Sequence, residues 1–228
     1  MFEIGEAVWV GALGDYCTAI VVHASGLWVA ASASGEVVMI DPVSSQGQVL
    51  AAGTGMAVSV LGMAAAFLAA AGQDGVVSLW AMPSGRAIDR LSFSGWIDRL
   101  AWSPDGKVLA IVVGREVVVW DQRIVARLSV ETTVQDLAWS LDGRRLAAGV
   151  NGGVKIWSIE DWDREPEVIR LPTVVVRLAW SADGRYLAMG NQDATLVVVD
   201  WGAVDRPWVM RGLGGKVRHG WFGGGRLW

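Results

Sequence analysis

Catalysis near neutral pH usually needs a nucleophile, an acid–base pair or a metal, and this chain holds little to build any of them from. It has two histidines, His23 and His219, and one cysteine, Cys17. A zinc site takes three or four Cys, His or carboxylate ligands in tetrahedral array, and these three residues do not make a usual set. HExxH, CxxC and the EF-hand loop are absent. GLGGKV at 212–217 lacks the full glycine spacing of a phosphate loop and the Ser or Thr after the Lys, so it reads as a turn into a strand. Asp105, Asp142 and Asp183 recur, but each sits in its own turn, where Asp and Gly serve backbone conformation and side-chain capping. His23 and His219 read as surface turn and strand residues. The expectation is no catalytic residue, no metal ligand and no cofactor.

The recurring aspartates belong to a phrase said three times: LAWSPDG at 100–106, LAWSLDG at 137–143 and LAWSADG at 178–184. Each copy is followed by a short apolar run, a turn and a second apolar run. Those second runs end at Trp120, Trp157 and Val199, and earlier ones at Ile40 and Trp80. A period of roughly 40 residues marks a repeat architecture. Within one unit, 100–102, 107–113, 116–120 and 123–130 are Val-, Ile-, Leu- and Trp-rich segments separated by turn residues, which predicts four strands, a to d in chain order. Most are apolar at consecutive positions, as in sheets covered on both faces.

On these residues the chain resembles the WD40 β-propeller family, whose unit is a four-stranded blade with Trp-Asp closing its third strand. Trp120-Asp121 is the intact example; Ile40-Asp41 and Val199-Asp200 keep the Asp, while Trp80-Ala81 and Trp157-Ser158 keep the Trp. GQDGVVSLW at 72–80 fits the family's turn and third strand, with Asp74 and Asp193 at the turn aspartate. The resemblance implies an all-β propeller over 1–228, with units at 16–53, 56–93, 96–130, 133–171 and 174–212 and a partial sixth at 214–228. The segment 7–14 (VWVGALG from Val8) resembles 207–214 and reads as a fourth strand completing the last blade. The family's Gly-His before strand a is missing throughout, so its usual buried Trp, Ser, His, Asp network gives way to apolar packing. Seven blades would need about 280 residues, which leaves two architectures: a six-bladed ring with an incomplete closing blade, or an open arc whose edges seek a partner, including a second copy.

Recurrent Trp102, Trp139, Trp180 and Trp221 in strand a, and Trp80, Trp120 and Trp157 in strand c, read as packing between blades, not as a ligand cage. More than half of the residues are apolar, which suits strands buried on both faces. No Lys or Arg precedes Arg86, so the chain up to that point carries only acids: Glu3, Glu6, Asp15, Glu36, Asp41 and Asp74. With a net charge of -4 and no basic cluster, nucleic-acid binding is not expected, and a basic protein partner suits the acidic arc. The single cysteine makes a reducing, cytoplasmic setting the default, and the start lacks the basic and apolar regions of a signal peptide. The uncharged run at 56–72 is nearly long enough to cross a bilayer as a helix, but the repeat runs through it and no basic residue flanks it, so no membrane span is expected. In the repeat register Gly62 falls at the serine of LAWS, and Met63, Ala64 and Ala65 form an apolar spot.

The resemblance implies a non-enzymatic protein–protein interaction scaffold whose partners dock on the face built from the d–a and b–c links. That face maps to Tyr16 and Thr18, Trp96 and Asp98, Thr133 and Gln135, Val174 and Val176 at the starts of strand a, with Gln73, Asn151 and Gln192 in the b–c turns. Tyr16 and Trp96 are the sharpest candidates, because accessible aromatics on a rigid rim become hot spots; the alternative for Trp96 is packing beneath a loop. Two rival classes are a propeller fragment that self-assembles through its incomplete blade and, with too few histidines to equip it, a propeller hydrolase or lactonase.

Overall fold

Ser103, Ser140 and Ser181 build the same turn three times. Each hydroxyl donates to the aspartate two residues on, at 2.6 Å for Ser103 and Asp105, and accepts the amide of Val108, Arg145 or Tyr186 at 2.8–3.0 Å. The aspartate in turn accepts the amides of Lys107, Arg144 and Arg185 at 3.0–3.1 Å. Gly106, Gly143 and Gly184 follow with φ of 70°, 70° and 68°, a conformation that costs glycine little. The phrase in the sequence is therefore a hydrogen-bonded device that reverses the chain between two strands.

The computed structural model describes residues 13–217 and the strand residues 222–223 and 226–227. Among them every regular element is a strand, and no helix is long and apolar enough to cross a membrane. Contacts divide the chain into two units, Met1–Leu100 and Ala101–Trp228.

In the first unit β1 (Cys17–Val22), β2 (Trp28–Ser32), β3 (Val37–Asp41) and β4 (Gln46–Ala51) form one antiparallel sheet in chain order. A second sheet is formed by β5 (Val58–Met63), β6 (Phe67–Gly72), β7 (Val76–Ala81) and β8 (Arg86–Ser92). Between them Val29, Ala31, Val37 and Met39 pack on Val58, Leu68, Ala70 and Trp80. Thr18 lies at a break in the β1–β2 register and directs its hydroxyl to the backbone oxygens of Ala31 and Val58, tying the first sheet to the second.

Three sequence expectations change here. The uncharged run at 56–72 is β5 and β6. Its register pairs Met63 with Leu68 as Trp139 pairs with Leu146, so Ala64, not Gly62, stands at the serine position. The Ala64 amide bonds the Phe67 oxygen at 2.8 Å, as the Ser103 amide bonds that of Val108. Met63 packs partly buried against the core, so the apolar spot shrinks to the exposed Ala65 and Ala66. His23 is a turn residue but not a surface one: it is 7% exposed. Its Nε2–H donates to the Ala65 oxygen at 2.8 Å, while Nδ1 accepts from Ser25 at 2.7 Å, so the ring fills the serine position and reaches the next sheet's turn.

The chain crosses the division within β9 (Ile97–Trp102), which pairs in a sheet with β10 (Leu109–Val113), β11 (Glu116–Trp120) and β12 (Ile124–Ser129). Then β13 (Asp136–Trp139), β14 (Arg145–Ser158), β15 (Glu167–Trp180), β16 (Tyr186–Asn191), β17 (Leu196–Asp200) and β18 (Ala203–Met210) form a six-stranded sheet. It is two units run together. β14 holds strands b and c with a bend at Gly152 and Gly153, at φ 91° and 135°; β15 holds one unit's strand d and the next one's strand a. Alternate residues of β14 face opposite cores: Leu146, Ala148, Val150 and Trp157 join the β9–β12 side, Ala147, Val154 and Ile156 the β16–β17 side. Consecutive apolar positions in the sequence have this cause. β19 (Phe222–Gly223) pairs with β20 (Arg226–Leu227). Most of the 7–14 strand, with His219 and Trp221, lies outside the described residues.

The strand c indoles Trp80, Trp120 and Trp157 are 3–4% exposed, in keeping with wedges between sheets. Those of strand a do more than fill space. Trp139 Nε1–H donates to the Ala101 oxygen at 3.0 Å and Trp180 Nε1–H to that of Ala138 at 3.3 Å, each reaching strand a of the preceding repeat. Asp136 adds a bond from the Leu178 amide at 2.9 Å. Polar ties thus supplement the apolar packing that the missing Gly-His led us to expect.

Candidate docking surface

The start of strand a and the b–c turn meet at one end of each sheet because backbone bonds join them. The Ala33 amide donates to Tyr16 at 3.1 Å, Gln73 to Ala57 at 3.0 Å and Gln192 to Val174 at 2.9 Å. Register breaks at Thr18, Ser59 and Val176 follow two residues on, giving strand a the same kink in three sheets. The sequence candidates of each unit therefore lie at the same end of their own sheets.

In the first unit this end is tightly built. Gly75 has φ 70°, and a Cβ there would stand 2.5 Å from the Phe93 oxygen and 2.8 Å from that of Gly95. The Gly75 oxygen accepts the Phe93 amide at 2.8 Å, so the β6–β7 turn clasps the link that presents Trp96. Gly35 plays the same part for the link carrying Met56, where a Cβ would meet the Met56 oxygen at 2.6 Å. Tyr16 is 70% and Trp96 63% exposed, so Trp96 does not fold beneath a loop. Gln73 and Asp98 are exposed too. Thr18 is half-buried, with its hydroxyl committed to the two backbone oxygens above.

Acids share this end: Asp15 precedes Tyr16, Glu36 closes the β2–β3 turn, Asp74 caps the Val76 amide at 3.0 Å and Asp98 opens β9. Sequence reasoning read three of these as part of an acidic arc and named Asp98 alone among the docking residues, without placing the four at one end of their sheets. The signal was present, since each falls at a b–c turn or at a strand a start within or beside the stretch that lacks Lys and Arg.

In the second unit the same end is polar and balanced. Thr133 is exposed and accepts a bond from Gln135 Nε2 at 3.1 Å, while Gln135 is half-buried. Asn151 and Gln192 are exposed in their turns. Lys155 meets Glu131 at 2.7 Å, and its bond and charge hold the Glu131 carboxyl below its ordinary value. Val174 and Val176 are half-buried.

The opposite ends carry the serine turns. Each turn lowers the pKa of its aspartate: the Ser103 bond and then the Lys107 amide do so for Asp105, the Ser181 bond and then the Arg185 amide for Asp183. For Asp142 burial pushes upward, but the Ser140 bond, the Arg144 amide and the charges of Arg145 and Arg144 outweigh it. Arg185 grips Asp200 through two nitrogens at 2.9 and 2.7 Å. Among the described residues no group of three or more His, Cys, Asp or Glu could hold a metal ion.

Comparison with protein families places a match on residues 123–158, to the WD40 family described as WD domain, G-beta repeat. The matched stretch runs from β12 through β13 to the end of β14, a frame that starts with strand d of one sheet and ends with strand c of the next. No curated protein matches the chain. The family match and the four-stranded antiparallel sheets fit a WD40-like family, whose repeats are generally non-enzymatic modules for protein–protein interaction.

Proposed function

We propose, from the premise of a WD40-like chain, that this protein is a non-enzymatic scaffold that docks a basic protein segment on the strand a end of its first unit. The observation that carries the reading is the exposure of Trp96 and Tyr16 on links clasped by the b–c turns, among Asp15, Glu36, Asp74 and Asp98. A rigid aromatic offers contact area at little entropic cost, and its face attracts Lys or Arg. The surrounding acids raise the association rate of a cationic partner and repel an anionic one. The second unit, taken by itself, offers Thr133, Gln135 and Gln192 as polar, uncharged contacts at the same end of its own sheets. Thr18 contributes by fixing the kink next to Tyr16.

The test is affinity capture from a native lysate with the full chain and its Trp96→Ala and Asp98→Lys variants. Both variants should lose a shared set of basic partners while melting within about 2 °C of the parent, as surface substitutions do. Unchanged capture by both would remove the reading. A second reading, assembly through a sheet edge, draws on β18, where Val204, Trp208, Val209 and Met210 are each about half exposed. Sedimentation over a hundredfold concentration range distinguishes it, because a constant monomer mass excludes self-assembly.

A further inference from the structure

The first unit contains an open groove of about 570 Å³ between its two sheets, a volume within the usual range of ligand sites. Two small side chains, Ala70 and Ser78, lie in its lining. Across β6 and β7, Ala70 faces Ser78, where the third sheet sets Ile111 against Val118 and the β16–β17 pair sets Met189 against Val197. Those four larger residues are all within 4% of full burial and fill their layers. The smaller pair is part of the floor, which Trp80 continues, and Val37 and Leu50 form the facing wall. Gly35, Thr54 and Asp74 line the mouth. They belong to the same turns and link that build the docking end. Ala87, Asp89 and Arg90 of β8 form the outer side.

We propose that this groove receives a bulky aliphatic side chain of the partner's docking segment, next to a lysine or arginine held at the mouth by Asp74. The segment is thus of stated chemistry: extended, basic and with an apolar anchor. Charge complementarity selects it, because Asp74 is the charged residue at the mouth, while Asp89 and Arg90 on the outer side offset each other and leave the lining with a net negative charge. The apolar lining that is still open to water, the half-buried Leu50 and the exposed Ala87 and Ile88, selects the anchor, since covering it removes apolar surface from solvent. This inference rests on the docking reading above and adds the specificity of the bound segment.

Fluorescence anisotropy on the full chain tests it with a labelled nonapeptide, a central leucine flanked by four lysines on each side, and a twin with alanine at the centre. The leucine peptide should bind about tenfold more tightly, the usual discrimination by an aliphatic pocket. Ser78→Leu should abolish that ratio while leaving the alanine peptide's affinity unchanged. Ala87→Leu, on the exposed outer strand, fills the groove without touching the core and should do the same, which keeps the test valid if Ser78→Leu misfolds. Trp96→Ala should weaken both peptides by one common factor and leave their ratio intact. A parent chain that binds neither peptide, or binds both equally, overturns the proposal, as does a ratio that survives both groove substitutions. A ratio preserved in the parent, with neither peptide weakened by Trp96→Ala, overturns the docking role of Trp96 and leaves the groove standing.

Discussion

Trp139 donates its indole N–H to the backbone oxygen of Ala101 at 3.0 Å, so the aromatic that fills the gap between two sheets also fixes how strand a of one lies against strand a of the other. Trp180 and Ala138 repeat the bond. Trp120 differs. Its Nε1 is buried with no hydrogen-bond partner among the described residues, and its ring meets Trp102 edge to face at 6.2 Å. Trp139→Phe should therefore cost about 1–2 kcal/mol, because it leaves the Ala101 oxygen without its indole donor, whereas Trp120→Phe, which deletes an unmatched donor, should cost less. Denaturant midpoints at equal m-values compare the two. An equal loss in both would deny the indole bond a role.

The serine turns predict an acid-sensitive fold. The folded pKa values of Asp105, Asp142 and Asp183 lie below the ordinary 3.8, so the unfolded chain takes up protons first as pH falls. Stability from these carboxylates is full above the ordinary value and is lost as pH drops through the lower folded values. Unfolding free energy should hold nearly level from pH 7 to about 5 on their account and decline below about 4. Replacing Ser103, Ser140 and Ser181 together by Ala should flatten that decline as well as lower stability at pH 7. An unchanged acid limb in the triple variant would show that other groups set it.

His23 should tolerate no apolar substitute. His23→Phe leaves the Ala65 oxygen and the Ser25 amide without the ring nitrogens, at a cost of about 1–3 kcal/mol. Thermal melting checks this; a variant as stable as the parent would mean that water replaces the ring at no cost.

Gly75→Ala should damage folding and docking together. The Cβ would press on the Phe93 and Gly95 oxygens at a positive φ, which predicts a loss of about 1–3 kcal/mol and a displaced Trp96 link. Peptide affinity measured well below the melting point should fall with it. Gly26→Ala is the control, with φ 89° but nothing within 4 Å, and should leave affinity unchanged.

The repeated LAWS phrase made the strands, turns and between-sheet tryptophans legible because one hydrogen-bonded turn recurs with one spacing. Where the phrase decays, the register slipped by two residues: MAAA carries no Ser, Asp or Gly to mark its turn, and only the Met63–Leu68 pairing locates it. His23 was misread for a related reason. A histidine in VHASG looks like a solvent residue until the neighbouring turn brings the Ala65 oxygen to its ring. The candidate site was legible as positions, since the starts of strand a and the b–c turns follow from the repeat. The groove was not, because an Ala opposite a Ser means little until strand pairing places them where the third sheet sets Ile against Val.

The absence of Lys and Arg before Arg86 also governs how this protein can be cut. Trypsin finds no target from β1 through β7, folded or unfolded, and its first cleavage site opens β8. Digestion should release the acidic segment as a single large fragment while the second unit, with arginines or lysines near most of its turns, breaks into short ones. Protection of the docking end by a bound partner is thus best mapped with a protease that cleaves after Asp or Glu.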